Sequence, residues 1–292
     1  MPGRRRLVSL LAPFALLAAC ANPPPAASLP PVPVAPAIDG AAPLLRAGDL
    51  LVLGEMHGSE EFPSLIGDLA AEAAQRGPVT VHLELLQSEQ ARIDGLVTGS
   101  VPDSPPRDGP WVKPGQYGVT SAAMWKLLLR LAAISRESHR VRIHLFDPGS
   151  PGQPDLADAR ARDKGMAAAV ARDVHEHLGD VHVALVGNVH ARQSHGVPWD
   201  PDYDPFARLV AQAGVRTTSL LGTYTAGSLW TCEAPEPSSC GAHPFAGNAR
   251  EISPSRRLAL GAPPGDGGYT GTAFVGAVHV SRPASESIAS GP

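Results

Sequence analysis

The stretch "LVLGEMHGSEEF", residues 51–62, decides the fold. Residues 49–54 are an apolar run with the length of a buried strand, and residues 60–76 place apolar side chains at helical spacing. Between the two segments lie Glu55 and His57, just past the predicted end of the strand. In parallel α/β sheets, ligands bind outside the carboxyl ends of the strands. The stretch therefore indicates both a buried strand and a functional sheet edge.

Further segments of the same two kinds alternate along the chain. Strands are predicted over 49–54, 79–86, 140–149, 180–191, 215–224 and 271–280, and helices over 60–76, 88–99, 120–137, 155–179 and about 203–213. Alternation of this kind predicts an α/β fold with a mostly parallel sheet flanked by helices. The long Pro/Gly/Trp-containing connection over 100–118 indicates a functional lid. We expect one domain over residues 44–292.

The N-terminal segment has the features of a targeting signal. Three arginines, Arg4 to Arg6, precede an apolar run that is too short for an ordinary transmembrane helix. The run ends in Leu17-Ala18-Ala19-Cys20, which resembles a bacterial lipobox. The resemblance implies that residues 1–19 are a signal peptide, and that Cys20 is lipidated and holds the protein at a membrane. An ordinary signal peptide with an incidental cysteine is the alternative.

The residues after Cys20 bear on where the protein is anchored. Ala21 at the next position resembles an outer-membrane sorting signal, so we expect an outer-membrane lipoprotein of the bacterial cell envelope that faces the periplasm. Residues 20–43 are rich in proline and alanine, which favours an extended polyproline II tether. A disordered leader without a spacing role is the alternative for this segment.

Charge and cysteine content exclude one class of partner and predict one cross-link. The chain has a formal net charge of −4, and its only lysines are Lys113, Lys126 and Lys164. Nucleic-acid binding is therefore not expected, because it needs clustered basic side chains. In an oxidising compartment, the close pair Cys232 and Cys240 predicts a disulfide-linked hairpin in the C-terminal part. A metal site is the less favoured interpretation of this pair, because no matching second pair exists.

Acids and imidazoles lie at or just past the carboxyl ends of four different predicted strands. These residues are Glu55, His57, Glu84, Asp147 and His190. Because parallel strands end at the same sheet edge, we expect the side chains to gather there. Histidine and carboxylate together can activate water as general bases, or they can hold a divalent metal through nitrogen and oxygen atoms. His82, His144 and His182 lie near the starts of their strands and are predicted to be structural, although His82 shares a strand face with Glu84.

Four motifs carry a resemblance to a known family. They are "LVLGEMHG" (51–58), "HLELLQSEQARIDGLVTG" (82–99), "ARDKGMAAAV" (161–170) and "VALVGNVHA" (183–191). In order and approximate spacing they resemble the ChaN-like family of the haem-binding-uptake and Tiki superfamily, which is related to erythromycin-esterase-type proteins. The resemblance covers about residues 48–225, and the region after 225 has no counterpart.

The resemblance suggests roles for individual residues. It implies that Glu55, His57, Glu84 and His190 are catalytic or hold a metal, and that Arg162 clamps a carboxylate of Glu84 or of a ligand. Asp147, Asn188 and Tyr117 are the further ligand-binding candidates. Trp111, Tyr117 and Trp125 flank the long connection, where they either line an aromatic wall or pack in the core.

Three functions stay open at this point. The first is an envelope lipoprotein that binds haem or an iron-related small molecule, which would serve iron uptake. The second is an esterase-like or peptidase-like hydrolase that uses a His-activated or metal-bound water. The third is a structural lipoprotein with a degenerate site. The cofactor is haem or a divalent metal, and neither the substrate nor the oligomeric state is predicted.

Overall fold

The computed structural model describes residues 37–112, 118–149, 156–234, 237–250, 252–261, 263 and 267–286. The strands are β1 Asp49–Glu55, β2 Val79–Leu86, β3 Val141–Asp147, β4 Val181–Gly187, β5 Arg216–Thr223, β6 Ala226–Cys232, β7 Cys240–Ala246, β8 Arg257–Leu260 and β9 Gly271–Phe274. The helices are α1 Glu61–Ala74, α2 Gln90–Thr98, α3 Ala122–Ser138, α4 Leu156–Glu176 and α5 Phe206–Gln212.

Seven strands form one sheet in the order β3-β2-β4-β1-β5-β9-β8. All neighbours are parallel except β8, which runs antiparallel to β9 at the edge. The predicted α/β class with a mostly parallel sheet is therefore confirmed. β8 was not predicted, and the last predicted strand is shorter than expected, because β9 ends at Phe274.

Each face of the sheet is covered by its own layer of helices. Successive side chains of a strand point to opposite faces. Leu51 and Leu53 pack in a core with α1, α2 and α3, whereas Leu50 and Val52 pack in a second core with α4 and α5. The unbroken apolar run of β1 follows from this burial on both faces.

The C-terminal part forms a separate hairpin and returns to the sheet edge. β6 and β7 pair in antiparallel register, with Cys232 opposite Cys240, and the predicted disulfide is present. The backbone carbonyl of Gly58 accepts hydrogen bonds from the backbone N–H of Trp230 at 3.0 Å and of Ser281 at 2.8 Å. The region after residue 225, which the family resemblance does not cover, thus contacts the loop that carries His57.

The folded part of the chain begins before residue 44. Ile38 and Ala41 are buried, and Leu258 donates its backbone N–H to the Asp39 carbonyl at 2.8 Å. Residues 37–43, which were predicted to belong to the tether, therefore pack on the domain. Residues 1–36, with the signal peptide, Cys20 and the rest of the tether, lie outside the described residues. Within the described part, no helix combines the length and apolar character needed to cross a membrane.

Candidate active site

The carboxyl ends of β1, β2 and β4 bring four of the predicted residues together. Glu55 is the last residue of β1, Glu84 lies near the end of β2, and His57 and His190 lie in the turns after β1 and β4. Glu84 is the common neighbour: its Oε2 is 3.7 Å from His57 Nε2, and its Oε1 is 3.4 Å from His190 Nε2. The two imidazoles therefore lie near different oxygens of one carboxylate.

Glu55 fixes the orientation of His57. His57 Nδ1 lies 2.9 Å from Glu55 Oε1, and Glu55 is only 3% exposed. Burial lowers the pKa of His57, but the hydrogen bond with Glu55 and the two nearby carboxylates outweigh burial and leave this pKa raised. Burial also raises the pKa of Glu55, and its bond to His57 offsets this only in part. With Nδ1–H held by Glu55, the lone pair of His57 lies on Nε2.

Glu84 is held in its ionised form. Burial raises its pKa, but His190, His57 and Arg162 together with the Gly187 N–H bond lower it to about 2. Gly187 donates that bond from its backbone to Glu84 Oε2 at 2.7 Å, and Arg162 Nη2 donates to Glu84 Oε1 at 2.7 Å. Glu84 thus supplies a negative charge beside the two imidazoles at neutral pH.

Arg162 lies in the second turn of α4 and reaches across the sheet edge. It donates from Nε and Nη2 to the two oxygens of Asp147 at 3.0 and 2.7 Å, and its Nη1 lies 3.1 Å from His190 Nε2. The neighbouring carboxylates raise its pKa above the ordinary arginine value, against the opposing effect of burial. Asp147 therefore anchors Arg162 within the protein. The bonds to Asp147 and Glu84 use only Nε and Nη2, so at least one N–H of Nη1 is available to a substrate.

Asp163 was missed as a site residue, although it lies inside the quoted motif. It is fully buried, and its Oδ1 lies 2.7 Å from His190 Nδ1. Its Oδ2 accepts the backbone N–H of Phe206 at 2.8 Å, at the start of α5. Burial lowers the pKa of His190, but Glu84 and Asp163 outweigh burial and raise it. An imidazole at a catalytic edge needs an orienting carboxylate, and that requirement could have singled out Asp163.

Two glycines leave room for the cluster. A Cβ at Gly187 would lie 3.1 Å from His57 Nε2 and 3.5 Å from His190 Cδ2, and a Cβ at Gly54 would lie 2.7 Å from Asn188 Oδ1. Neither glycine has the positive φ expected of a sharp exit from a strand, so close packing explains both. Asn188 shapes the turn, because its N–H donates to the Glu55 carbonyl at 2.9 Å and its own carbonyl accepts from Tyr269 Oη at 2.7 Å.

The aromatic candidates divide into two groups. Trp111 and Trp125 are buried and meet edge to face with their ring centroids 5.0 Å apart, so they pack in the core. Trp111 Nε1 donates to Glu89 and Trp125 Nε1 donates to the Asp103 carbonyl, which satisfies both indoles. Tyr117 lies outside the described residues.

The cluster fits an added cation or a haem poorly. The Arg162 guanidinium already occupies the position between Glu84, Asp147 and His190, so a divalent ion there would meet a fixed positive charge. A different group of described residues, His82, His144 and Asp173, brings one possible ligand atom from each residue within 4.8 Å of the others. A haem face needs apolar surroundings, whereas the two imidazoles are surrounded by carboxylates and Arg162.

Comparisons with known proteins give structural matches only. No family model and no curated protein matches the chain. A mutant of the erythromycin esterase EreC in its open conformation is 12% identical with a TM-score of 0.54, over 82% of this chain and 93% of that chain. A Bacillus cereus protein is 11% identical with a TM-score of 0.50, over 83% and 91%. Haem-binding ChaN of Campylobacter jejuni is 13% identical with a TM-score of 0.40, over 63% and 84%.

The matches to EreC and to the Bacillus cereus protein agree with the motif resemblance at the level of the fold. The chain therefore shares the fold of the erythromycin esterase EreC. At such low sequence identities, structural similarity shows a shared fold but does not indicate a shared activity. The chemistry has to be argued from the side chains at the sheet edge.

Proposed function

We propose that the protein is a metal-independent hydrolase in which His57 activates a water molecule that attacks the carbonyl carbon of an ester or amide. One observation carries this proposal. Buried Glu55 holds His57 Nδ1 at 2.9 Å, so His57 Nε2 presents its lone pair to the centre of the cluster. An imidazole with an orienting carboxylate on one nitrogen and an open second nitrogen is the usual arrangement of a general base.

In the proposed first step, His57 takes one proton from water. The water oxygen forms a bond to the carbonyl carbon, and the carbonyl electron pair moves onto its oxygen. Glu55 and Glu84 stabilise the imidazolium, because both carboxylates face the His57 ring at 2.9 and 3.7 Å. The remaining Nη1–H of Arg162 is the donor available to the oxyanion.

In the second step, the tetrahedral intermediate collapses and the bond to the leaving group breaks. His190 is the proposed acid, since Asp163 Oδ1 lies 2.7 Å from its Nδ1 and its Nε2 lies 3.4 Å from Glu84 Oε1. In its protonated form, His190 carries a proton on Nε2 that lies 3.4 Å from Glu84 Oε1, and Arg162 Nη1 then makes no hydrogen bond to this nitrogen. His190 gives that Nε2 proton to the leaving oxygen or nitrogen. The proton on His57 then passes to His190, directly or through solvent, which returns the site to its starting state.

The test compares hydrolysis with haem binding in the same preparations. Purified wild-type protein, His57→Gln and His175→Gln are assayed on a panel of p-nitrophenyl esters and peptide anilides with a metal chelator present, and each is titrated with haemin. His175 is exposed near the other end of α4, so it is the matched control. We expect chelator-resistant turnover that falls roughly 10²–10⁴-fold in His57→Gln and is unchanged in His175→Gln.

Haem or iron-ligand binding is the alternative outcome of this test. Its support is the motif resemblance to ChaN-like proteins. No turnover on any substrate, together with a saturable Soret shift that His57→Gln abolishes, would replace the hydrolase proposal with this one. Turnover that disappears with chelator and returns with a divalent metal would contradict the metal-independent mechanism.

We further propose that the enzyme is anchored in the bacterial envelope through Cys20. The lipobox-like sequence Leu17-Ala18-Ala19-Cys20 supports this, as does the Pro/Ala-rich segment that follows. Cys20→Ser should move the protein from the membrane fraction to the soluble periplasmic fraction and abolish incorporation of an alkyne-labelled fatty acid. A membrane-bound, unlabelled wild-type protein would contradict lipidation.

A further inference from the structure

A second polar cluster lies on the α4 side of the sheet and shares no residue with the proposed active site. It contains His82 of β2, His144 of β3 and His182 of β4, with Asp173 of α4 packed over them. His82 and His144 are register partners on neighbouring parallel strands. His82 and His182 are fully buried, which distinguishes this group from a solvated cluster of surface histidines.

The hydrogen bonds within this cluster determine which nitrogen of each ring carries a proton. The His177 backbone carbonyl lies 3.0 Å from His182 Nε2 and can only accept, so His182 Nε2 carries the proton. Neutral His182 then accepts at Nδ1 from His82 Nε2, 3.1 Å away. Neutral His82 is left with its lone pair on Nδ1. That lone pair points at His144 Nδ1, at 2.9 Å.

Two facing imidazole nitrogens must share either a proton or a metal ion. Two nitrogens bound to one ion at about 2.0–2.1 Å each lie roughly 2.9–3.4 Å apart, which agrees with the observed 2.9 Å. The bond from His82 to His182 supplies the outer contact that metal-binding histidines usually make with their other ring nitrogen.

Asp173 supplies the third donor. One ligand atom from each of His82, His144 and Asp173 lies within 4.8 Å of the others. Arg142 donates to both oxygens of Asp173 at 2.8 and 2.7 Å, but each carboxylate oxygen keeps a second lone pair for an ion. The positive charges of Arg142 and Arg172 act on His144 and oppose the binding of a cation at this cluster. The site is therefore expected to favour ions with high affinity for imidazole over Mg²⁺ or Ca²⁺.

The cluster is also open to solvent on one side. A cavity of about 290 Å³ is lined by His144 and Asp173 together with Gln87, Gln90, Arg172 and Glu176. His144 is only partly buried and lies between this cavity and the buried His82. An ion can enter from the cavity, and water can complete its coordination there.

From this geometry we infer that His82, His144 and Asp173 form a binding site for an imidazole-preferring divalent transition metal such as Zn²⁺ or Co²⁺. The set has two nitrogens and one oxygen and an open side, as in three-ligand zinc sites that keep a position for water. The site lies under α4 and is independent of the proposed hydrolytic cluster.

The test is a titration of the purified, metal-stripped full-length protein with Co²⁺ followed by d–d absorption, and with Zn²⁺ by calorimetry. We expect saturation at one equivalent and at least a 10-fold weaker dissociation constant for His144→Gln. His175→Gln and His57→Gln should bind as the wild type does, which separates this site from exposed histidines and from the proposed active site.

A second measurement guards against a variant that fails to fold. X-ray absorption of the Zn²⁺-loaded wild-type protein should show two imidazole nitrogens in the first coordination shell. Absence of saturable binding, equal affinity in a folded His144→Gln protein, or a shell with fewer than two imidazoles would overturn the inference.

Discussion

At the scale of the residue, the environment of each carboxylate decides its role. Glu55 and Glu84 lie at the same sheet edge and are both buried, yet the pKa of Glu55 is raised whereas that of Glu84 is lowered to about 2. Glu55 meets one imidazole. Glu84 meets two imidazoles, Arg162 and a backbone N–H. The first is suited to orienting a base and the second to holding a fixed charge.

The lowered pKa of Glu84 predicts a loss of stability in acid. A group with a depressed folded-state pKa stabilises the protein above its unfolded-state pKa, and this contribution disappears as pH falls through the folded-state pKa. The wild type should therefore lose on the order of 3 kcal/mol between about pH 5 and pH 2 from this residue. Glu84→Gln should be less stable at pH 7 and show a weaker pH dependence in urea unfolding.

The matched control for this prediction is Glu137→Gln, at an exposed position near the end of α3. It should follow the wild-type acid profile. An unchanged unfolding free energy of Glu84→Gln at pH 7 would show that the bonds to Arg162 and Gly187 do not stabilise the fold.

At the scale of the element, the β6–β7 hairpin explains a region that the family resemblance leaves unmatched. Its disulfide was predicted from the spacing of Cys232 and Cys240, but its position in the fold was not. The hairpin contributes the Trp230 N–H bond to the Gly58 carbonyl, one residue after His57. The hairpin is thus a positioning element for the proposed base.

Removal of the disulfide should therefore affect both stability and turnover. The Cys232→Ser/Cys240→Ser protein should lose about 2–3 kcal/mol by the chain-entropy estimate for a loop of this size. Because the loop at Gly58 is then held less firmly, kcat should fall as well. Thermal melts and ester hydrolysis with and without reductant measure the two effects. A double variant with wild-type melting temperature and kcat would show that the hairpin neither stabilises the fold nor positions His57.

At the scale of the whole molecule, the sequence predicts what periodicity and strand order determine. The central strands and the convergence of Glu55, Glu84 and His190 follow from apolar runs that end at one sheet edge. The short edge strand β8 has too few buried residues to produce a pattern. The orienting role of Asp163 depends on how α4 packs over the sheet, which no local pattern reports.

The start of the domain is a second feature that only packing reveals. Ile38 lies among prolines and alanines, yet it is buried in the core with Ala41. Burial of a side chain of this size contributes roughly 1.5–3 kcal/mol. A protein that begins at residue 44 should therefore melt several degrees lower than one that begins at residue 37. Equal melting temperatures would restore the predicted boundary at 44.

The pH dependence of kcat/KM for ester hydrolysis tests the proposed role of His57 most directly. A general base must be neutral to act, and the Glu55 and Glu84 carboxylates raise the pKa of His57 above its ordinary value of 6.5. The wild-type rate should therefore rise with pH through a midpoint above 6.5, and this rise should be absent from the residual activity of His57→Gln. A wild-type rate that is independent of pH, or the same rise in His57→Gln, would contradict the assignment of His57 as the base.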